Sequence, residues 1–158
     1  MIVREPSADD LPFLRRCVVL ARHAREVGDE PFGSLLVSDG EILFEDFNHV
    51  GDGDATAHPE FAIARWAAQH LPEERRRAAV VYTSGEHCPM CAAAHAWAGL
   101  GRIVYAASSV QLLQWRREWG LPELPVSTLP IAAVAPGVAV CGPAPELLDE
   151  VRALHAPA

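Results

Sequence analysis

The chain is 158 residues long, with a formal net charge of −8 and an isoelectric point near 5.3. That length suits a single domain over residues 1–158 with a core large enough to need no disulfides. The negative balance is the wrong sign for holding a polyanion by counterion release, so no nucleic-acid partner is expected.

Four cysteines at irregular spacing make no disulfide framework and point to a reducing compartment, the cytosol. Arg4, Glu5, Asp9 and Asp10 precede any apolar run, so no signal peptide is expected. No window approaches the roughly 18 apolar residues of a membrane span, so no membrane association is expected.

In chain order, Ser7 with Asp10 three residues on resembles a capping box. Leu11, Leu14, Val18, Ala21 and Val27 then follow at near-helical spacing, ending near Gly28. Leu35-Leu36-Val37 and Glu41-Ile42-Leu43-Phe44 flank Ser38-Asp39-Gly40, the pattern of a hairpin. His58 to His70 is predicted helical and is closed by Pro72, so His58 and Glu60 fall in a first turn. Arg75-Arg76-Arg77 lies in a predicted helix-to-strand connection and reads as a solvated face. Ala78–Tyr82 is predicted as a buried strand, Cys88–Ala98 as an alanine-rich helix ended by Gly99, and Arg102–Ala106 as another strand. Beyond them come a helix near Val110–Trp119, apolar stretches at Ile131–Val134 and Val138–Cys141, and a last helix over Pro145–His155. Alternating strand, loop and helix after a hairpin predicts an α/β fold, a mixed sheet with helices on both faces in three layers.

Two short segments carry the chemistry: His58-Pro59-Glu60 and Cys88-Pro89-Met90-Cys91. Alone, the C-x-x-C reads as half a structural zinc site, a thioredoxin-like dithiol or a coincidence. A structural site wants two further ligands at knuckle-like spacing, and Cys17 and Cys141 are isolated. A redox dithiol has no need of a His-x-Glu helix start in the preceding strand-helix unit. One histidine and two cysteines make three ligands for one zinc and leave the fourth tetrahedral position for water, which is the arrangement of a catalytic site. A carboxylate two residues from the histidine can lean over that water instead of binding the metal.

With these segments in hand, the chain resembles the cytidine deaminase-like superfamily, within it the branch of guanine, cytosine and tRNA adenosine deaminases. Base deaminases of this kind share H-x-E and P-C-x-x-C. Pro31-Phe32-Gly33 resembles the P-F-G that opens the family's hairpin, Asn48 its substrate-binding asparagine, and Asp54 to Glu60 its D-P-T-A-H-A-E. The resemblance implies a three-layer α-β-α sandwich with a mixed five-stranded sheet, zinc on His58, Cys88 and Cys91, and Glu60 as the proton shuttle. It further implies a substrate contact from Asn48 and a homodimer; Ala57 and Phe32 are further candidate contacts, Phe32 either stacking on the heterocycle or plugging the hairpin. Trp97 reads first as a core residue; the alternative, from guanine-deaminase-like members, is a substrate contact. Pro59 stands where the family has alanine, which a first helical turn tolerates. His87 replaces the proline before the first cysteine, either as a polar group of the pocket or as a mere turn residue.

The reaction implied is hydrolytic release of ammonia from a small amino-heterocycle: guanine, cytosine, isocytosine or an aminotriazine. A nucleoside or tRNA adenosine is the competing substrate. A structural-zinc interaction domain is the non-enzymatic alternative, against which an intact Glu60 speaks.

Overall fold

The computed structural model describes residues 4–158. Helix α1 (Leu11–Glu26) buries Leu14, Cys17, Val18 and Ala21, the i, i+3, i+4, i+7 stripe of a helix lying on a sheet. It begins later than Ser7 suggests. Residues 7–10 close a turn instead, in which Asp10 N donates to Ser7 O and Ser7 N to Asp10 Oδ2, and Asp10 is the residue that caps the helix.

The hairpin consists of β1 (Gly33–Ser38) and β2 (Glu41–Phe47). Its two-residue turn places Asp39 at φ 51° and Gly40 at φ 77°, the left-handed pair that matches the twist of the flanking strands. There follow α2 (Pro59–His70), α3 (Glu73–Ala78), β3 (Val80–Gly85), α4 (Pro89–Trp97), β4 (Ile103–Ala107), α5 (Ser109–Glu118), α6 (Ile131–Val134), β5 (Val140–Cys141) and α7 (Leu148–His155). The sheet order is β2-β1-β3-β4-β5, with β1 antiparallel to both neighbours and β3, β4 and β5 parallel. The mixed five-stranded sheet is therefore the one expected.

Alternation along the strands sorts the core onto two faces. Leu35, Val37, Tyr82, Val104 and Ala106 pack with α1, Trp115 of α5 and Val151 of α7. Leu36 and Val81 pack with Ile63, Ala64 and Ala67 of α2, while Ile103 and Tyr105 pack with Ala92 of α4 and Ile131 of α6. At Gly33 the backbone of α1 comes close to the sheet: a Cβ there would lie 2.4 Å from Cys17 O and 2.5 Å from Leu20 Cβ. Under α1, Asp10 Oδ1 accepts from Tyr82 and Arg102, each at 2.8 Å.

Two expectations are corrected, and one apolar stretch is assigned an element. The arginine run is not a connection but the last turn of α3, a six-residue helix. Ile131–Val134 is a short helix begun by Pro130. Trp97 is not core: it is 91% exposed. It stands two residues past buried His95, about 200° around a helix of 3.6 residues per turn, and so faces away from the sheet.

Candidate active site

Each of the two segments that could supply metal ligands sits at a helix start. His58 is the N-cap of α2 and Cys88 the N-cap of α4; a proline follows each at the first helical position, where its missing N–H costs nothing. Cys91 lies one turn into α4, so both sulfurs face one side. His58 Nδ1 is 3.5 Å from Cys88 Sγ and 3.6 Å from Cys91 Sγ. Bond lengths of about 2.3 Å to sulfur and 2.0–2.1 Å to nitrogen at the tetrahedral angle separate two ligands of one zinc by about 3.6 Å. The donor set therefore fits a shared zinc ion, and among the described residues these three form a cluster able to hold a metal.

The electrostatics favour a cation. The Cys88 thiol is held down at about 4, through its hydrogen bond with Cys91 and then with His58, against the opposing effect of burial. The same bond and burial push Cys91 up. His58 is raised, chiefly by its bond to Cys88. One proton shared between two thiols leaves a thiolate ready for a metal.

Glu60, two residues past His58, is 5% exposed. Burial raises its pKa, opposed by hydrogen bonds that include those from Thr83 and Ser34. Thr83 Oγ1 lies 2.8 Å and Ser34 Oγ 2.9 Å from the same carboxylate oxygen, Oε1. That engagement orients the carboxyl group and leaves Oε2 for the site. Ser34 and Thr83 are register partners on β1 and β3. No motif marks them; the available signal was a hydroxyl buried in each of two apolar strands.

Asn48 is buried, with its N–H on Phe32 O at 3.0 Å. Its Oδ1 accepts from Val50 N at 2.9 Å, so the side-chain NH2 is what it offers a ligand. Phe32 is half-buried and presses on Gly85, where a Cβ would meet its ring at 2.9 Å. Ala57 O accepts from His49 N at 3.0 Å, which holds the loop before His58. Trp97, at the far end of α4, lies about 13 Å along the axis from Cys88 at 1.5 Å per residue and is not brought to the cluster in its own chain. His87 is 1% exposed, and burial lowers its pKa well below the usual range. Its ring meets His95 edge to face at 5.4 Å, and neither nitrogen has a hydrogen-bond partner among the described residues. His95 is structural: its Nε2 bonds Gly101 O at 2.6 Å.

A groove of about 420 Å³ flanks the cluster, reaching His58 and Ala57 but not Glu60, Asn48 or the cysteines. Aromatic Phe44, Phe61 and Trp66 line it, with Asp46 and Asp54 opposite a single guanidinium, Arg65.

A three-layer fold that joins a His-Cys-Cys cluster to a buried, oriented glutamate defines a zinc-dependent hydrolase. The chain belongs to the family described as the cytidine and deoxycytidylate deaminase zinc-binding region, whose model matches residues 7–107. It is 31% identical over 144 residues to a probable cytosine deaminase of Schizosaccharomyces pombe, covering 88% of this chain and 86% of that one. It is 38% identical over 101 residues to a tRNA-specific adenosine deaminase of Agrobacterium fabrum, covering 63% of this chain and 66% of that one, just under two thirds of the relative's length. The crystal structure of Bacillus subtilis guanine deaminase superposes with a TM-score of 0.58 at 32% identity, covering 76% of this chain and 82% of that one. The protein is a deaminase that hydrolyses a C–N bond, and zinc is its cofactor.

Proposed function

We propose that the substrate is a small amino-heterocycle taken as a free base, of the guanine, cytosine, isocytosine or aminotriazine type. The observation that carries this reading is the acidic lining of the groove beside His58; in the arginine run each side chain has a partner within its own chain. Arg75 reaches Ser38 Oγ, Arg76 donates to Leu71 O at 2.8 Å, and Arg77 pairs with Glu73. The groove beside His58 sets two carboxylates against one guanidinium, which repels a phosphate backbone. Asn48, with only its NH2 available, suits a ring carbonyl or ring nitrogen. The relative matched over most of the chain is named for cytosine, and the superposed structure for guanine; both are free bases.

In this reading His58, Cys88 and Cys91 would hold the zinc, whose chemistry would be to polarise a water and bring its pKa near neutrality. Glu60 takes one proton of the attacking water on Oε2 and passes it to the ring nitrogen; it then takes the second from the hydroxyl added to the ring carbon and passes it to the amine as the C–N bond breaks, so one carboxyl group serves twice as base and twice as acid. Asn48 holds the ring edge, and Phe32 closes the pocket over Gly85. Replacing Cys88 by alanine should abolish stoichiometric zinc, read by elemental analysis; full retention would overturn the ligand set.

An ammonia-release screen on guanine, cytosine, isocytosine, an aminotriazine, their nucleosides and a tRNA anticodon stem-loop tests the substrate. A free base should give the highest kcat/KM. Its KM should change little from about 50 to 200 mM salt, whereas phosphate contacts would impose a steep salt slope. Best activity on the stem-loop with such a slope overturns the reading.

A further inference from the structure

Glu86 lies two residues before Cys88, has no role in the scheme above, and is almost fully buried. Its two carboxyl oxygens are both engaged, each by a backbone N–H from a different segment. Oε1 accepts from Ser109 N at 2.9 Å and Oε2 from Ile131 N at 2.8 Å. Its own N–H donates to Ala107 O at 2.8 Å, the last bond between β3 and β4. One side chain on the metal-bearing loop thus closes the base of a long excursion, residues 109–131, that contains α5 and the loop after it.

That excursion reaches the substrate side of the site. Leu112, one turn into α5, presses on Gly85 together with Phe32: a Cβ on Gly85 would lie 3.1 Å from Leu112 Cδ1 and 2.9 Å from Phe32 Cε1. Phe32 in turn accepts the N–H of Asn48 at 3.0 Å. A series of contacts therefore runs from Glu86 through Ser109 and Leu112 to Gly85, and from Gly85 through Phe32, ring and then backbone, to Asn48.

We propose that Glu86 is a positioning residue for substrate binding: by gripping Ser109 and Ile131 it holds α5 against Phe32 and Asn48 at a fixed height over the metal loop. The proposal rests on the deaminase activity but not on which base is deaminated. Because it acts on a wall of the pocket and not on the proton shuttle, its loss should weaken ground-state and transition-state binding alike.

Two substitutions attack the grip from opposite sides. Glu86→Gln keeps the shape but turns one acceptor into an NH2 that faces an N–H. Ser109→Pro removes the donor and sets a methylene against Oε1 while leaving the metal loop untouched. Proline is compatible there, because Ser109 is the first residue of α5 and Ser108 before it has φ −78° and ψ 159°. Kinetics are measured on guanine and cytosine, or, if wild type turns over neither and the free-base reading fails, on whichever nucleoside or tRNA stem-loop it does deaminate.

Each variant should raise KM about tenfold, the scale of one hydrogen bond to a charged group, with kcat within about threefold and one zinc per chain retained. The double variant should be no worse than the worse single one, because with the N–H of position 109 gone the carboxamide NH2 can face that side while its oxygen still accepts from Ile131. Should Glu86→Gln fail to fold, Ser109→Pro alone carries the test. Wild-type KM and kcat in a variant that only melts earlier would overturn the proposal and leave Glu86 a purely structural anchor. A fall in kcat at unchanged KM, loss of zinc from Ser109→Pro, or full additivity in the double variant would each overturn it too.

Discussion

Glu60 is a buried acid held at one oxygen by Ser34 and Thr83, and the proposed mechanism gives its other oxygen the proton transfers. Glu60→Gln keeps the volume and can still accept from both hydroxyls, so fold and zinc content should survive. Turnover should fall by about 10²–10⁴-fold or more, since an amide cannot carry a proton and one group serves several transfers. Single-turnover ammonia release beside elemental analysis checks both halves; near-normal turnover would remove Glu60 from the mechanism. At this scale the residues with distinctive chemistry were legible as a string, because H-x-E and C-x-x-C name their own spacing. Ser34 and Thr83 were not. A hydroxyl in an apolar strand carries no period or motif, and only the pairing of β1 with β3 brings the two onto one carboxylate. Glu86 was hidden for a similar reason: its partners are backbone N–H groups 23 and 45 residues away.

Among the elements, α1 is held to the sheet by two features that mutation can separate. Gly33→Ala puts a methyl into Cys17 O and Leu20, and since backbone must move to admit it, a loss of about 1–3 kcal/mol is expected by denaturant titration. An unchanged midpoint would mean that α1 slides freely on β1. The second feature is Asp10. Burial alone would raise its pKa, but hydrogen bonds from Arg102, Ser7 and Tyr82 outweigh it and bring the group from 3.8 to about 2. A pKa lower in the folded state gives stability that is present above about pH 4 and is lost as pH falls toward 2. Asp10→Asn should flatten the stability profile across that window, read by melting at pH 2 to 5; a profile as steep as wild type would assign the acid loss to other carboxyl groups.

Long elements with a clear period, such as α1, the hairpin and α2, were legible in kind and place, α2 to within a residue, while the start of α1 and the end of β2 were missed by about three. The short ones were not legible. Helix α3 contains Arg75-Arg76-Arg77, which lacks an apolar stripe, and α6 is only four residues, so neither shows a period. Trp97 misled through its type. A large aromatic in an alanine-rich helix reads as core, yet its angle from His95 sends it outward.

For the whole molecule, the three buried clusters share one sheet, and α7 packs Val151 into the same cluster as Leu14 of α1 and Val104 of β4. First and last helices thus depend on each other. A single cooperative transition is expected, with far-UV circular dichroism and tryptophan emission changing together. Two separate transitions would show that the segment after Ser108 folds independently and would overturn the expectation of one domain.

The position of Trp97 also provides an optical handle. Trp115 is packed in the core, Trp66 stacks on His70 and Trp119 is half-buried under the Arg152 guanidinium, so a water-soluble quencher such as iodide should reach Trp97 more readily than the other three. Quenching measured over a range of protein concentrations then reports on the outer face of α4 with no label attached. Protection that grows with concentration and disappears in Trp97→Phe would mean that copies of the chain meet there. Quenching that stays constant while the hydrodynamic mass doubles would put the contact on another face.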